Sequence, residues 1–278
     1  MANSLKELLK YKLSEKELSL VPSSYDIVGD ILIFVDFPKQ LVKYDNIIAE
    51  KLFSINKNIK VIVKKTKKYS GKYRLPRFKI IAGENRLETE FKENGCRFRI
   101  DIGKCYFSPR MSNERKRIAE LVKPKESVLV MFSGIGIFPV IIAKNSSARV
   151  VYGIELNKNA HKFAEINIVL NKILNVRLFN GNVKKVLPKI KKKFDRILMP
   201  LPKGAIGYIE VALSKIKRKG IIHFYDFEED GRFERITRKI EKYCKRANKN
   251  VKILDMQKCG QYAPRVFRVC VDFEVIKS

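Results

Sequence analysis

Histidine and cysteine are scarce in this chain of 278 residues, and their placement argues against a metal cluster. His161 and His223 stand alone, and Cys96, Cys105, Cys244, Cys259 and Cys270 form no C-x-x-C pair. Zinc sites need such ligands at short, regular spacing, so no metal is expected. The thiols read as buried and reduced, which fits a cytoplasmic protein. No run of about 18 apolar residues exists, so no membrane span is expected. The start, Met1-Ala2-Asn3-Ser4-Leu5-Lys6-Glu7, lacks the apolar stretch of a secretory signal. Internal repeats and low-complexity linkers are also missing.

Acid is the other shortage. Against 59 Lys and Arg there are 29 Asp and Glu, a formal charge of +30. Such a field attracts polyanions, with nucleic acid the first candidate. A lysine-rich solvated surface explains part of the excess. It explains less well the run from Lys57 to Lys79, with ten basic residues and no acid. Tyr69, Tyr73 and Phe78 are interleaved there, as base stacking requires.

What the chain does have is a strand, glycine turn, helix, strand, acid series between Ser127 and Asn157. Val128 to Phe132 is an apolar run, Ser133-Gly134-Ile135-Gly136 the turn, and Ile137 to Lys144 a helix. Val150 to Ile154 is the second strand, ending in Glu155. Glycines let the backbone approach a nucleoside closely, and the helix N-terminus faces it. An acid ending the next strand accepts both ribose hydroxyls. Glu155 follows Gly134 by 21 residues, close to the separation of about 20 such sites use.

Taken in order, residues 5 to 20 predict one amphipathic helix, Ile31 to Val35 a strand, 39 to 54 a helix and Val61 to Val63 a strand. Tyr73 to Arg77 reads as a basic loop, and 78–82 with 87–91 as a hairpin across Gly83-Glu84-Asn85. Ser108 and Pro109 predict a helix start, running to about Val122 and placing Arg110 and Glu114 on one face. After Glu155 come a helix to Leu170 and strands at 175–180, 194–199 and 220–225. His223, on an apolar strand, reads as a satisfied core histidine. A basic helix over 230–247 and strands at 251–259 and 266–275 close the chain. A final antiparallel hairpin on a parallel sheet suggests a methyltransferase-type Rossmann-like fold. The expected divisions are an N-terminal helical segment (1–16), a small α+β RNA-binding domain (17–104) and an α/β domain (105–278).

Several stretches carry a family likeness: Ser24-Tyr25-Asp26-Ile27-Val28-Gly29-Asp30, Tyr73-Arg74, Tyr106-Phe107-Ser108-Pro109-Arg110 with Glu114-Arg115, Met131 to Gly136, Leu201-Pro202-Lys203, Ile222 to Tyr225 and Tyr262-Ala263-Pro264-Arg265. Jointly, and in this order, they resemble the archaeal and eukaryotic tRNA (guanine-N1)-methyltransferases that modify position 37, and their wyosine-pathway relatives. The resemblance implies a class I methyltransferase domain, S-adenosylmethionine as donor, S-adenosylhomocysteine as product and tRNA as partner of a monomer. It implies Glu114 as general base and Arg110 and Arg74 as stabilisers of the target guanine. Donor contacts carry over to Tyr106, Phe132, Gly134, Gly136, Glu155, Leu156, Asn182, Pro200 and Pro202. RNA contacts fall to Lys64, Lys65, Lys67, Lys68, Arg74, Arg77 and Arg265.

The chain departs from the family at three places. Val130 stands where an acid is usual, and Asn182 where Asp is common. The family's Asn-Leu-Pro-Lys is here Pro200-Leu201-Pro202-Lys203, which removes a target-base hydrogen bond and is reminiscent of the wyosine branch, whose members also methylate a tricyclic guanine derivative. The extra N-terminal domain of full-length members, which touches the tRNA elbow, is expected to be missing. Aminocarboxypropyl transfer from the same donor, and tRNA binding without catalysis, are the alternative readings.

Overall fold

The computed structural model describes residues 5–277 apart from Lys72 and Arg74, and the side chains of 67–70 and 277 lie outside the description. Arg74, expected at the target base, and the side chains of Lys67 and Lys68, expected at RNA, are therefore outside the described residues. The chain divides into two compact units, Met1–Lys92 with Phe98–Pro109, and Glu93–Arg97 with Arg110–Ser278.

The first unit holds α1 (Leu5–Leu9), α2 (Glu15–Leu20), β1 (Asp26–Val28), β2 (Ile31–Phe34), a 3-10 turn (Lys39–Tyr44), α3 (Asp45–Ile55), β3 (Val61–Ser70) and β4 (Leu75–Gly83). Its sheet runs β1-β2-β3-β4, with β2 and β3 parallel. The single helix expected over 5–20 is two. Ser14 caps the second in a capping box with Glu17, which ends the first before it. Leu5, Leu9 and Leu13 pack into one core with Leu32, Phe34, Leu41, Ile48 and Leu52, so residues 5–16 do not stand apart from this unit.

The expected hairpin of 78–82 with 87–91 does not form. β4 pairs back along β3, from Val61 with Gly83 to Ser70 with Leu75. Gly83, at φ +91°, lies so close to Lys60 that a Cβ would meet its carbonyl oxygen at 1.9 Å. Arg86 then leaves the sheet to bind Asp30 at 2.5 and 2.9 Å. β5 (Glu88–Glu93) pairs instead with β6 (Cys96–Asp101). The stretch 73–77, expected as a loop, already enters β4 at Leu75.

The second unit holds α4 (Ser112–Leu121), β7 (Ser127–Met131), α5 (Ile137–Asn145), β8 (Val150–Glu155), α6 (Lys158–Leu170), β9 (Val176–Asn180), α7 (Val183–Val186), β10 (Phe194–Met199), α8 (Ile209–Lys215), β11 (Ile216–Glu229), α9 (Glu234–Arg246), β12 (Asn250–Ala263) and β13 (Val266–Lys277). Its sheet has the order β12-β13-β11-β10-β7-β8-β9. The five strands from β11 to β9 are parallel, and β13 and β12 form the antiparallel hairpin expected at the end of the chain. β7 is buried along its whole length, as a central parallel strand covered on both faces must be.

Candidate active site

Parallel register brings most of the expected donor residues to one edge of this sheet. Met131 pairs with Ile154, Leu198 with Val130 and Glu155 with Asn180. Phe132, Gly134, Gly136, Glu155, Leu156, Asn182, Pro200 and Pro202 therefore all stand at or just past the carboxyl ends of β7, β8, β9 and β10, where open α/β sheets bind ligands. Tyr106 belongs to the first unit and is half-buried.

The glycine turn and Glu155 are one hydrogen-bonded device. Ser133 N–H donates to the Ile154 carbonyl at 3.0 Å, Gly134 N–H to Glu155 Oε2 at 2.8 Å, and Asn157 N–H to Glu155 Oε1 at 2.7 Å. Leu156 N–H also reaches this carboxylate, whose paired oxygens are a match for a ribose diol. Burial pushes the Glu155 carboxyl above its ordinary range, against the pull of the backbone N–H groups. Phe132, bulky and at φ +59°, holds a strained conformation at the strand end, of the kind that gathers at functional sites. Gly134, at φ +58°, has open space where a Cβ would point, and the buried Ser133 hydroxyl beside it has no partner. An open cradle, an orphaned hydroxyl and a diol-matched carboxylate fit the adenosine end of the donor. Gly136 has a packing role as well. A Cβ there would meet Ala164 at 2.9 Å, so the glycine lets α5 pack on α6. Asn182 caps α7, its Oδ1 accepting Lys184 N–H at 2.9 Å. Leu201 N–H closes back on the Met199 carbonyl at 2.7 Å, giving the proline turn its tight bend.

Glu114 lies in the first turn of α4 and is buried. Its Oε1 accepts from the Tyr225 hydroxyl at 2.7 Å and from Arg117 Nη2 at 2.8 Å, and its Oε2 from Arg117 Nε at 2.7 Å. Tyr225 follows Phe224, the register partner of Met199. The carboxylate is thereby tied to the same carboxyl edge that carries the expected donor residues. Arg110 lies one turn earlier, in a 3-10 turn (Pro109–Met111) before the α-helix begins at Ser112, and is exposed. The continuous helix expected from Pro109 is thus split, and Arg110 and Glu114 occupy different environments.

Behind Glu114 runs a buried polar chain that the sequence did not announce. Arg117 Nη1 donates to Asp272 at 2.7 Å, His223 Nδ1 meets Asp272 at 2.6 Å, Arg196 Nη1 meets His223 Nε2 at 2.7 Å, and Arg196 Nε donates to Glu126 at 2.7 Å. Arginine has only donors, so Nε2 of His223 accepts and Nδ1 carries the proton. Burial keeps this histidine neutral, moving its pKa below the ordinary value. Asp272 is held well below the carboxylate range: burial opposes this, but His223 and Arg117 outweigh it.

His223, Cys270 and Asp272 bring potential metal ligands within 4.8 Å of one another. Both His223 nitrogens are already engaged, and burial pushes the Cys270 thiol up, away from the thiolate a metal needs. The set belongs to the ion-pair chain. Arg117, Tyr225 and Asp272 were not anticipated, although the Glu114–Arg117 spacing of three was a legible helix-face signal.

The basic run is sorted by strand pairing. Lys64 is buried, its ammonium 2.7 Å from Asp45 and 4.7 Å from the centre of the Phe37 ring. It faces the interior and corrects the expectation of an RNA contact there. Lys65 is half-buried and lines a small cavity of about 40 Å³ with Asp26, Phe78 and Phe107. Arg77 and Tyr73 are exposed, as is Arg265 in the turn between β12 and β13.

Comparison with known proteins identifies the architecture. Residues 89–254 match the model of the TRM5/TYW2 methyltransferase domain, and residues 5–86 that of the TYW2 N-terminal domain. The chain belongs to the TRM5/TYW2 methyltransferase family. It is 36% identical to the tRNA (guanine(37)-N(1))-methyltransferase Trm5b of Pyrococcus abyssi, over 98% of this chain and 80% of that protein. The crystal structure of wild-type Trm5b from Pyrococcus abyssi superposes with a TM-score of 0.87 at 35% identity, covering 99% of this chain and 81% of that one. It is 31% identical to Taw22 of Nanoarchaeum equitans, a tRNA (guanine(37)-N(1))/4-demethylwyosine(37)-methyltransferase, over 91% of this chain and all of that protein. The structure of Pyrococcus horikoshii TYW2 in complex with MeSAdo gives a TM-score of 0.82 at 29% identity, covering 99% and 98% of the two chains.

Proposed function

We propose that this TRM5/TYW2 family member transfers the methyl group of S-adenosylmethionine to N1 of guanosine 37 in tRNA. The observation that carries the reading is the buried Glu114 carboxylate, tied through Tyr225 to the sheet edge that holds the Glu155 diol cradle. Guanine N1 bears a proton and is a poor nucleophile until that proton leaves. Glu114 takes it, the N1–H bond breaking as an O–H bond forms on the carboxylate. The N1 electron pair attacks the methyl carbon, and the carbon–sulfur bond breaks with its pair left on sulfur. Negative charge spreading to O6 is stabilised by Arg110 and Arg74. Holding the base in line with the methyl group does the remaining work. Gly134, Gly136, Phe132, Glu155, Leu156, Asn182, Pro200, Pro202 and Tyr106 hold the donor, which supplies the activated methyl group. The target base leaves the anticodon-loop stack to reach the site. The chain acts as a monomer in the cytoplasm, and Lys65, Lys67, Lys68, Arg74, Arg77 and Arg265 contact tRNA.

A second reading is supported by the match of residues 5–86 to the TYW2 N-terminal domain and by Pro200 in the proline turn. In it, the substrate is a wyosine intermediate, which receives either a methyl or an aminocarboxypropyl group from the same donor. Nucleoside mass spectrometry separates the readings. One added methyl on a guanosine-37 transcript supports the first. An aminocarboxypropyl increment, or a methyl found only on tRNA carrying the demethylated tricyclic base, supports the second. Tight tRNA binding with no modification of either substrate refutes both.

A further inference from the structure

The hydrogen bonds on Glu114 are unequal between its two oxygens. Oε1 accepts two, from Tyr225 and from Arg117 Nη2, and is filled. Oε2 accepts one from Arg117 Nε. The Cys259 thiol also reaches this carboxylate, but it is a weak donor with a second acceptor, the Gln257 carbonyl at 3.4 Å. A stronger incoming donor displaces it at little cost. We propose that Oε2 is the oxygen that receives the N1 proton, and that Arg117 and Tyr225 are positioning residues that aim it. The proposal rests on Glu114 acting as the general base.

The chain behind Arg117 explains why the aim is held. Arg117 reaches two carboxylates, and Asp272 is in turn braced by neutral His223, Arg196 and Glu126. Glu114, Arg117, Asp272, His223 and Arg196 are all buried or nearly so. Apart from the half-exposed Asp255, three carboxylates (Glu114, Asp272 and Glu126) face two guanidiniums along it, leaving one negative charge in excess. Proton transfer to Oε2 removes that charge, so the network is balanced in the state that follows deprotonation of the base. Rotation of the carboxylate would break the two-point Arg117 contact and the Tyr225 bond together. The proton therefore has one oxygen to go to.

The groups facing Glu114 are Arg117 on its own helix, Tyr225 on β11, Cys259 on β12, and Cys270 and Asp272 on β13, with Asp255 at 3.9 Å from Arg117. Burial holds the Tyr225 hydroxyl and both thiols protonated near neutral pH, so none of the three competes with Glu114 for the incoming proton. Tyr225→Phe keeps the ring and removes one donor from the carboxylate. Single-turnover methyl transfer to guanosine-37 tRNA is then expected to show its acid limb at higher pH than wild type, because a donor lost from the carboxylate favours its protonated form. Donor and tRNA affinity stay within twofold. Arg117→Lys, which keeps the charge but loses the two-point grip, shifts the limb the same way and lowers the plateau about tenfold. ¹³C titration of the Glu114 carboxyl, assigned by difference from Glu114→Gln, reads the Tyr225→Phe shift without turnover. A uniform loss of rate with an unmoved acid limb and an unmoved carboxyl titration would overturn the assignment. Full-rate Glu114→Gln would instead remove Glu114 as the base, and wild-type protein inactive on guanosine-37 tRNA would remove the methyl-transfer reading. If Arg117→Lys does not fold, Tyr225→Phe alone decides.

Discussion

Gly134 N–H donates to Glu155 Oε2 at 2.8 Å, so the glycine turn and the acid that closes the next strand are one object. Asn157 N–H holds the other oxygen at 2.7 Å. The carboxylate is aimed before any ligand arrives, and burial has moved its pKa upward.

Donor binding should therefore be linked to pH. Two ribose hydroxyls donating to Glu155 favour its ionised form and draw its pKa back down. Affinity for S-adenosylmethionine should fall as pH drops through the raised pKa of the free protein, and binding in that range should release protons. Calorimetry in buffers of differing ionisation enthalpy reads the release directly. Glu155→Ala removes two charge-assisted hydrogen bonds and should weaken donor binding by roughly 10- to 100-fold at neutral pH. An unchanged titration would show that the ribose lies elsewhere.

His223 supplies a different pH signature, this time in stability. Its folded-state pKa lies below the ordinary value because the ring is buried. The unfolded chain takes up a proton near pH 6.5 that the folded protein refuses, so stability is full above that pH and falls below it. The slope is about 1.4 kcal/mol per pH unit until the depressed pKa is reached. Asp272, with its pKa lowered, loses stability only under more acid conditions, below the ordinary carboxylate range. Urea unfolding between pH 5 and 7.5 separates the histidine from Asp272. His223→Asn should flatten the slope across that window while lowering stability throughout; a slope equal to wild type would assign it to other groups.

The two parts of the site differ in how visible they are along the chain. The Gly134–Glu155 device is contained in one strand–helix–strand unit, so its spacing is fixed locally and shows in the sequence. The final hairpin is visible for a similar reason: two long alternating runs are joined by a short turn around Pro264. The anchor behind Glu114 has only one local mark, the Glu114–Arg117 spacing of three. Arg117 and Asp272 are 155 residues apart, and Asp272 looks like any solvent-facing acid until β13 is placed beside β11. Lys64 is the converse case. In a run of lysines it reads as solvated charge, but pairing of β3 with β2 and β4 turns it inward onto Asp45.

That inward turn sets Lys64 apart from Arg77 and Arg265, which are exposed. Lys64→Ala leaves the carboxylate of Asp45, whose Oδ1 already lacks a partner, buried without its cation. A cost of about 3 kcal/mol to the first unit is expected, read as a lowered melting temperature. The salt dependence of tRNA binding should not change. Neutralising Lys67, Lys68, Arg77 and Arg265 should do the opposite. Each phosphate contact removed lowers the slope of log K against log salt by about 0.7 to 0.9, and stability is nearly unaffected. Filter binding from 50 to 200 mM salt, beside thermal melts of the same variants, tests both statements together. A slope that falls with Lys64→Ala, in protein that melts like wild type, would put Lys64 on the RNA surface and reverse the assignment.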